Sequence, residues 1–219
     1  MKISMMEHKK DSHSIKFLTS EYVCLDSVAD LAKWARVELD LGCGKGNFAV
    51  GMAHRHPETL VLAADLLVGR MRKLHKRIER EKVTNVLLLR VEARNLLGYM
   101  LPDHSLDRLH ILCPDPWPKN KHRGNRLLCS DFMTHLHRVL KPGGQFHFST
   151  DDVSYFNIMY NVVGKSGLFD ENNALLAETS DIKTDFEKRW NALGKEVNHI
   201  LWVSRSRADV ERLMPAAGH

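Results

Sequence analysis

One segment, residues 113–126, combines the side chains that could hold a nucleotide: a carboxylate, an aromatic ring and a run of cations. Three prolines within five residues end the apolar run before it and stiffen a turn that carries Asp115 and Trp117. The cations that follow are Lys119, Lys121, Arg123, Arg126 and, when protonated, His122. This order suits a base attached to a phosphate backbone, although a proline-rich loop with a solvated basic tail would have the same sequence.

A glycine-rich loop is the second chemical signal. A strand predicted over residues 37–41 carries Asp40 and leads into three alternating glycines, which a helix predicted from about Asn47 follows. These glycines are Gly42, Gly44 and Gly46. They let the backbone turn tightly and let a ligand approach it. The spacing is not the Gly-x-Gly-x-x-Gly that cradles a pyrophosphate, and Asp40 would repel phosphate but could receive the ammonium group of S-adenosylmethionine.

Two further carboxylates follow the next two predicted strands. Asp65 comes directly after the apolar run 60–64, and Glu92 after the run 86–91. Taken alone, Asp65 would more often be a turn residue or a helix cap, and Glu92 would face solvent. As the second and third strand-end carboxylates in a row, these two predict a nucleoside pocket, with Asp65 on ribose hydroxyls and Glu92 on the adenine amine.

Composition narrows the class of protein. The 219 residues, 43% of them hydrophobic, are enough for one α/β domain with a proper core, and the net charge of +5 favours an anionic partner. The four cysteines have neither CxxC nor zinc-finger spacing, so we expect reduced thiols in the cytoplasm and no metal. No signal peptide and no run of about 20 apolar residues is present, which predicts no membrane partner.

The order of elements predicts the architecture. Strands alternate with helices from residue 37 to about 165, which is typical of a mostly parallel sheet whose late strands form an antiparallel edge. We predict one domain over residues 25–210, after a polar, mobile segment 1–24 and before a tail 211–219. Three local predictions are a helix from Asp26–Ser27 through Ala35, a sixth strand over 174–179, and a helix over 130–140 that a Pro-Gly-Gly turn closes before the strand 145–149.

Four motifs, in order, resemble one family. They are Glu38–Phe48 with its glycine loop, Pro-Asp-Pro-Trp-Pro-Lys at 114–119, Ser-Thr-Asp at 149–151, and Thr-Asp-Phe-Glu-Lys-Arg at 184–189. Together they resemble the bacterial tRNA (guanine-N7)-methyltransferases of the TrmB type, a branch of the class I methyltransferases, over about residues 37–204. The resemblance implies a Rossmann-like sheet of seven strands with an antiparallel final strand, S-adenosylmethionine as methyl donor, and a guanine of the tRNA variable loop as acceptor.

The resemblance also implies a set of site residues. It gives the cofactor Asp40, Asp65, Glu92 and the three loop glycines, and it makes Asp115 the catalytic-pocket aspartate beside the cofactor. On the substrate side it implies Asp151, Thr184, Glu187, Lys119 and a basic residue that is either Arg123 or Arg126. Many relatives have Glu where this chain has Asp40 and Asp65, and Asp where it has Glu92, which keeps the charge and changes the reach by one methylene.

Guanine N7 has an in-plane lone pair and no proton, so the transfer needs positioning rather than a general base. We expect Asp115, or failing that Glu187, to hold the guanine edge and stabilise the developing charge. The alternatives are an exocyclic-amine methyltransferase, whose Asp-Pro-Pro-Trp type of motif Asp115–Trp117 nearly matches, and an RNA-binding protein with a degenerate cofactor site. A dehydrogenase is disfavoured by the glycine spacing. The sequence leaves monomer and homodimer open.

Overall fold

A single sheet forms the centre of the structure, a computed structural model that describes residues 16–17, 30–115 and 130–213. The strands are β1 (Lys16–Phe17), β2 (Arg36–Leu41), β3 (Thr59–Ala64), β4 (Val86–Arg90), β5 (Leu106–Leu112), β6 (Leu140–Thr150), β7 (Phe169–Glu171) and β8 (Asn198–Ser204). The helices are α1 (Asn47–Arg55), α2 (Val68–Glu81), α3 (Ala93–Asn95), α4 (Ser130–Val139), α5 (Val153–Ser166), α6 (Asp185–Asn191) and α7 (Arg207–Leu213). Two 3₁₀ helices (Leu31–Lys33, Asn173–Glu178) and one π turn (Leu96–Met100) complete the described elements.

The strands lie in the order β1-β4-β3-β2-β5-β6-β8-β7. Strand β8 is antiparallel to both of its neighbours, and the other pairs are parallel. The predicted class, a mostly parallel Rossmann-like sheet with an antiparallel final strand, is therefore confirmed. The two residues of β1, which fall inside the predicted N-terminal segment, add a short unpredicted strand to the β4 edge.

Apolar side chains cover both faces of the sheet. All six residues of β3 are buried, as expected for a central parallel strand. One face packs against α1 and α2, through side chains such as Phe48 and Leu74. The other face packs against the π turn, α4 and α5, through side chains such as Met133 and Met159. Since the helices occupy the faces, the carboxyl edge of the sheet is left to loops.

Two local predictions are wrong. The described part of the predicted helix through Ala35 is only the 3₁₀ turn Leu31–Lys33, because the chain must be extended by Arg36 to enter β2. The sixth strand is Phe169–Glu171, not 174–179. One more backbone hydrogen bond follows, from the N–H of Asn172 to the carbonyl oxygen of Leu201 at 2.9 Å, but the N–H of Leu201 donates to the side-chain oxygen of Asn173 at 3.0 Å and not to a backbone carbonyl.

Helix α4 ends at Val139, close to its predicted end, and the Pro-Gly-Gly turn that follows lies inside a strand. Strand β6 begins at Leu140 beside Leu106, and the register then jumps so that Gln145 lies beside Arg108. The extra residues form a bulge in which Gly143 has a φ of +78°. A side chain at Gly144 would come within 2.8 Å of the carbonyl oxygen of Lys141, so the bulge requires glycine.

The longest helices of the described ranges, Val68–Glu81 and Val153–Ser166, have 14 residues each, and no helix there is long and apolar enough to cross a membrane.

Candidate active site at the carboxyl edge of the sheet

The predicted site residues follow strands that all point to one edge of the sheet. The strands β4, β3, β2, β5 and β6 are adjacent and parallel, so the segments after them meet at the same edge. In that order the segments carry Glu92, Asp65, the glycine loop, Asp115 and Asp151. This edge of an open α/β sheet is where such folds bind ligands.

The glycine loop has a conformation that other residues would resist. Gly42, Gly44 and Gly46 have φ values of +83°, +59° and +75°, in the left-handed region. A Cβ at Gly46 would also lie 2.1 Å from a methyl carbon of Leu74. The backbone N–H groups of Gly42 and Cys43 both donate to the carbonyl oxygen of Ala64, at 2.8 and 3.0 Å, and bind the loop to the end of β3.

Asp65 holds this loop in place. Its Oδ2 accepts a hydrogen bond from the backbone N–H of Gly44 at 3.0 Å, and its Oδ1 accepts one from that of Leu67 at 2.7 Å. The Arg70 guanidinium lies 3.8 Å away. Asp65 therefore joins the glycine loop to the start of α2, which agrees with the turn or cap role that an Asp after a strand most often has. Its predicted contact with a ribose stays a prediction.

Asp40 is a buried carboxyl group that lacks one partner. Only 3% of the residue is exposed, and its Oδ2 has no hydrogen-bond partner among the described residues. Burial and then the charge of Asp65 raise the pKa of Asp40 to about 7, against a weaker backbone hydrogen bond from Ala49. A cationic ligand group would supply the missing partner and favour the ionised form. The ammonium group of S-adenosylmethionine fits this requirement.

Glu92 caps a helix. Its side chain accepts a hydrogen bond from the backbone N–H of Asn95 at 3.0 Å, at the start of α3, and the residue is half-buried. Taken alone, the sequence predicts a solvent-facing Glu92, and the cap with its partial burial differs from that expectation. The predicted contact with an adenine amine is not excluded by the cap, since a carboxylate has several acceptor sites, and it stays a prediction.

The loop after β5 begins with a strained residue. Cys113 has a φ of +50°, its backbone N–H donates to the carbonyl oxygen of Ser149 at 2.8 Å, and its Sγ lies 3.6 Å from Ser149 Oγ. Burial, with the charges of Glu187 and Asp151, raises the pKa of the Cys113 thiol to about 11. The thiol is therefore unreactive, and both predicted substrate-side carboxylates lie near it. Asp115, two residues later, is exposed.

Thr184 and Glu187 interact with each other and with cations. Thr184 caps α6 by accepting a hydrogen bond from the backbone N–H of Glu187 at 3.0 Å. Oε1 of the buried Glu187 lies 2.7 Å from Lys183 Nζ and 3.0 Å from His199 Nε2. Although burial opposes it, these two hydrogen bonds lower the pKa of Glu187. The predicted substrate roles of Thr184, Glu187 and Asp151 stay predictions.

The aromatic and basic part of the opening motif lies outside the described residues. This applies to Trp117, Lys119, Arg123 and Arg126.

Sequence reasoning missed the contacts that join the two halves of the site. Asn47, the first residue of α1, donates from Nδ2 to the carbonyl oxygen of Lys183 at 2.6 Å. One turn later, Gly51 leaves room for Ile182, since a Cβ there would lie 2.7 Å from it. Arg55, another turn on, forms a two-pronged ion pair with Asp181. Helix α1 is thus fixed to the segment before α6, and no local pattern in the sequence indicates these partners.

The strand order and the glycine loop after β2 are those of the class I methyltransferases. The crystal structure of a mutant 16S rRNA (adenine(1408)-N(1))-methyltransferase from Catenulisporales acidiphilia, with its cosubstrate S-adenosylmethionine, superposes with a TM-score of 0.58. The match covers 87% of this chain and 94% of that one at 20% sequence identity, and it concerns the fold alone.

Sequence similarity gives the family. Residues 35–200 match the model of a family described as a putative methyltransferase. The chain is 33% identical over 188 residues to the tRNA (guanine-N(7)-)-methyltransferase of Nitrosomonas europaea, covering 85% of this chain and 83% of that protein. It is 30% identical over 185 residues to the enzyme of that name from Thermotoga maritima, covering 82% of this chain but only 58% of that protein's length. The chain belongs to the tRNA (guanine-N7-)-methyltransferase family.

Proposed function

We propose that this protein transfers the methyl group of S-adenosylmethionine to N7 of a guanine in the variable loop of tRNA. The observation that carries the proposal is the buried Oδ2 of Asp40 beside the glycine loop, which has no partner among the described residues and which a cationic group of a ligand would pair. Relatives named tRNA (guanine-N(7)-)-methyltransferase support the substrate and the product. A tRNA substrate would place the protein in the cytoplasm, and monomer and homodimer both remain compatible with it.

The cofactor half of the site would be built from the strand ends. Asp40 would receive the ammonium group, Asp65 the ribose hydroxyls and Glu92 the adenine amine, while Gly42, Gly44 and Gly46 let the backbone lie against the ligand. When bound, S-adenosylmethionine supplies an electrophilic methyl group on a sulfonium. The hydrogen bonds of the loop to Ala64 and Asp65 would hold the loop in place against the bound cofactor.

The acceptor half would lie after β5, β6 and before α6. Because N7 carries no proton, no residue needs to act as a base, and in-line positioning provides most of the rate. Asp115, exposed at the carboxyl edge, would accept hydrogen bonds from the guanine edge and stabilise the positive charge of the product. Asp151, Thr184 and Glu187 would position the nucleotide, and Lys119 with Arg123 or Arg126 would hold phosphates.

The test is methyl transfer from labelled S-adenosylmethionine to unmodified tRNA, with a matched tRNA that lacks guanine in the variable loop. We expect label only in the first tRNA, and chain cleavage at the modified site after reduction and aniline treatment. Equal transfer to both tRNAs would refute the substrate. Labelled RNA that resists aniline cleavage would instead indicate an exocyclic-amine methyltransferase.

The role of Asp115 has its own test. We expect Asp115→Asn to lower kcat about 100-fold, the usual effect of losing one group that stabilises transition-state charge. Asp103→Asn is the matched control, because Asp103 is equally a surface carboxylate but precedes β5 and so lies at the opposite edge of the sheet. Turnover of Asp115→Asn within a factor of two of the control would refute the assignment.

A further inference from the structure

Three histidines form a hydrogen-bonded row that crosses the sheet between two carboxylates. His110 Nε2 lies 3.1 Å from Glu38 Oε2, and the Nδ1 atoms of His110 and His147 lie 3.1 Å apart. His147 Nε2 lies 3.0 Å from His199 Nδ1, and His199 Nε2 lies 3.0 Å from Glu187 Oε1. We call these five residues the histidine chain. It runs from β2 through β5, β6 and β8 to α6.

Strand register brings the histidines together. His110 on β5 lies directly beside His147 on β6, and His147 pairs with Leu201 on β8, two residues from His199. Side chains two positions apart on a strand share a face, so His199 reaches His147 along the diagonal. The separations of 37 and 52 residues along the sequence hide this arrangement.

Most of the histidine chain is closed to water. Glu38, His110, His147 and Glu187 are each at most 3% exposed. The ring of Phe48 contacts those of His110 and His147 edge-on, with centroid distances of 4.7 and 6.4 Å. Every ring nitrogen of His110 and His147 must therefore find its hydrogen-bond partner within the histidine chain, because leaving a buried polar atom unpaired is costly.

Counting protons shows that three neutral imidazoles are not enough. The four links need four protons, one each, and an ionised carboxylate at either end can only accept. Three neutral imidazoles carry three N–H groups. If the hydrogen bonds to Glu38 and Glu187 are both made, one of the two histidine–histidine links would then bring two unprotonated nitrogens together at about 3 Å. The geometry of four short links requires a fourth proton.

We propose that the histidine chain holds one proton more than three neutral imidazoles, and that this charge moves between the Glu38 end and the Glu187 end through a tautomer switch at His147. In the step, the proton on His110 Nδ1 passes to His147 Nδ1, and the proton on His147 Nε2 passes to His199 Nδ1. Two N–H bonds break and two form, and the single positive charge moves from His110 to His199. No other reactant is needed.

Charges around the Glu38 end make it the less favourable end. Arg36 already donates to Glu38 at 2.6 Å, and although burial opposes it, His110, Arg36 and Arg108 together lower the pKa of Glu38 to about 2. Burial lowers the pKa of His110, Glu38 raises it, and Arg108 and Arg36 lower it further. Arg108 itself is paired with Glu178. A second cation at His110 is therefore disfavoured.

The middle of the histidine chain cannot hold the charge. Burial lowers the pKa of His147 well below its ordinary value, and the positive charges of His110, His199, Arg108 and Lys183 add to this effect. His199 is the partly exposed member of the row, with 23% of its side chain accessible, and it pairs directly with Glu187. The resting position of the extra proton is therefore His199.

The position of this proton decides how many cations face Glu187. The consequence for catalysis rests on the proposed guanine methylation. With the proton at His199, two cations, His199 and Lys183, face the carboxylate. With the proton at His110, only Lys183 remains. Methylation at N7 makes the guanine cationic, so movement of the proton away from Glu187 would stabilise the product side of the reaction. His147 is then a positioning residue that acts through His199 and Glu187.

The proton count can be measured on the full chain labelled with ¹⁵N in the histidine rings. At pH 8 an ordinary histidine is neutral. Long-range ¹H–¹⁵N correlation spectra distinguish bare from protonated nitrogens. We expect four ring N–H groups over His110, His147 and His199, with His147 neutral. Three N–H groups in total would refute the proposal, whatever the protein methylates. His137, which contacts the backbone oxygen of Arg205 at 3.0 Å outside the row, is the internal reference.

The link to Glu187 is tested by His147→Gln, with His137→Gln as the control. Glutamine keeps a donor and an acceptor but cannot pass a proton on. We expect kcat to fall roughly ten- to hundredfold, because the positive charge on His199 can no longer move away from Glu187. KM should stay within twofold. The control should keep wild-type kcat. In folded His147→Gln protein, an unchanged kcat would refute the link even where four protons are counted. A wild type without methyltransferase activity would refute the proposed function alone.

Discussion

Replacing the Asp40 carboxyl group by an amide should change how the stability of the protein depends on pH. Asp40 has a pKa of about 7 in the folded protein against a reference of 3.8. The folded state therefore binds more protons than the unfolded state between these values, and stability falls as pH rises through that window. The penalty is absent below pH 4, grows from there, and is complete above pH 7. Asp40→Asn has no such penalty.

The size of the effect follows from the pKa values. Each unit of difference is worth about 1.4 kcal/mol, so the full penalty of ionising Asp40 in the free protein is roughly 4 kcal/mol. Between pH 5 and pH 8 it should grow by about 3 kcal/mol. The amide also leaves its NH₂ group buried, at a cost of about 1–3 kcal/mol, but this cost does not depend on pH. The quantity to measure is therefore the difference in free energy of unfolding between Asp40→Asn and wild type, and how much this difference changes from pH 5 to pH 8.

Urea unfolding followed by tryptophan fluorescence at pH 5 and pH 8 gives the free energies of unfolding of both proteins. We expect Asp40→Asn to gain about 3 kcal/mol relative to wild type between the two pH values. Asp103→Asn, in which an exposed carboxylate is changed, should gain nothing comparable. A difference between Asp40→Asn and wild type that is the same at both pH values would refute the argument that Asp40 is a buried group lacking a cation.

Three further predictions concern the same edge of the sheet. Binding of S-adenosylmethionine at pH 7 should release about half a proton, because an ammonium partner ionises Asp40, and calorimetry in buffers of different ionisation enthalpy measures this release. Gly46→Ala should cost several kcal/mol in urea unfolding, because the new methyl group would lie 2.1 Å from Leu74 at a φ of +75°. The control for Gly46→Ala is Gly69→Ala, where a Cβ on α2 would meet open space, and this variant should be neutral or stabilising by up to about 1 kcal/mol. Thr184→Ala should cost about 1 kcal/mol by removing the cap of α6, and equal stability would contradict the cap.

The sequence was sufficient to predict the sheet and the edge at which the glycine loop and the strand-end carboxylates lie. Strands such as that at residues 60–64 have continuous apolar runs, and the alternating glycines can adopt few other roles between a strand and a helix. The same reasoning failed for residues 174–179, where Leu175 and Leu176 resemble a buried strand. There the side chain of Asn173 replaces a backbone carbonyl as the acceptor from Leu201, and a single side-chain hydrogen bond does not show in a hydrophobic pattern.

The contacts between the halves of the site could not be predicted for a different reason. Asn47 and Lys183 are 136 residues apart, and their hydrogen bond depends on how α1 and the segment before α6 pack on the same face of the sheet. The histidine row depends on the register of β5, β6 and β8, and a shift of one residue would turn each histidine to the other face. Residue types predict which side chains could bind ligands or take part in the reaction. Strand register determines which of these side chains are in contact.

Two buried carboxyl groups at this edge have opposite electrostatic environments, and the difference indicates which kind of ligand group each would bind. Oδ2 of Asp40 has no hydrogen-bond partner among the described residues, and burial raises the pKa of this carboxyl group to about 7, so a cationic ligand group would supply the partner that those residues do not. Glu187 already faces Lys183 and His199, and its pKa is lowered, so it remains ionised without a ligand. A cationic ligand group therefore gains most at Asp40. In the proposed reaction, a neutral base near Glu187 would meet a carboxylate that already has two cations beside it, and the methylated, cationic base would be stabilised further once His199 passes its proton away.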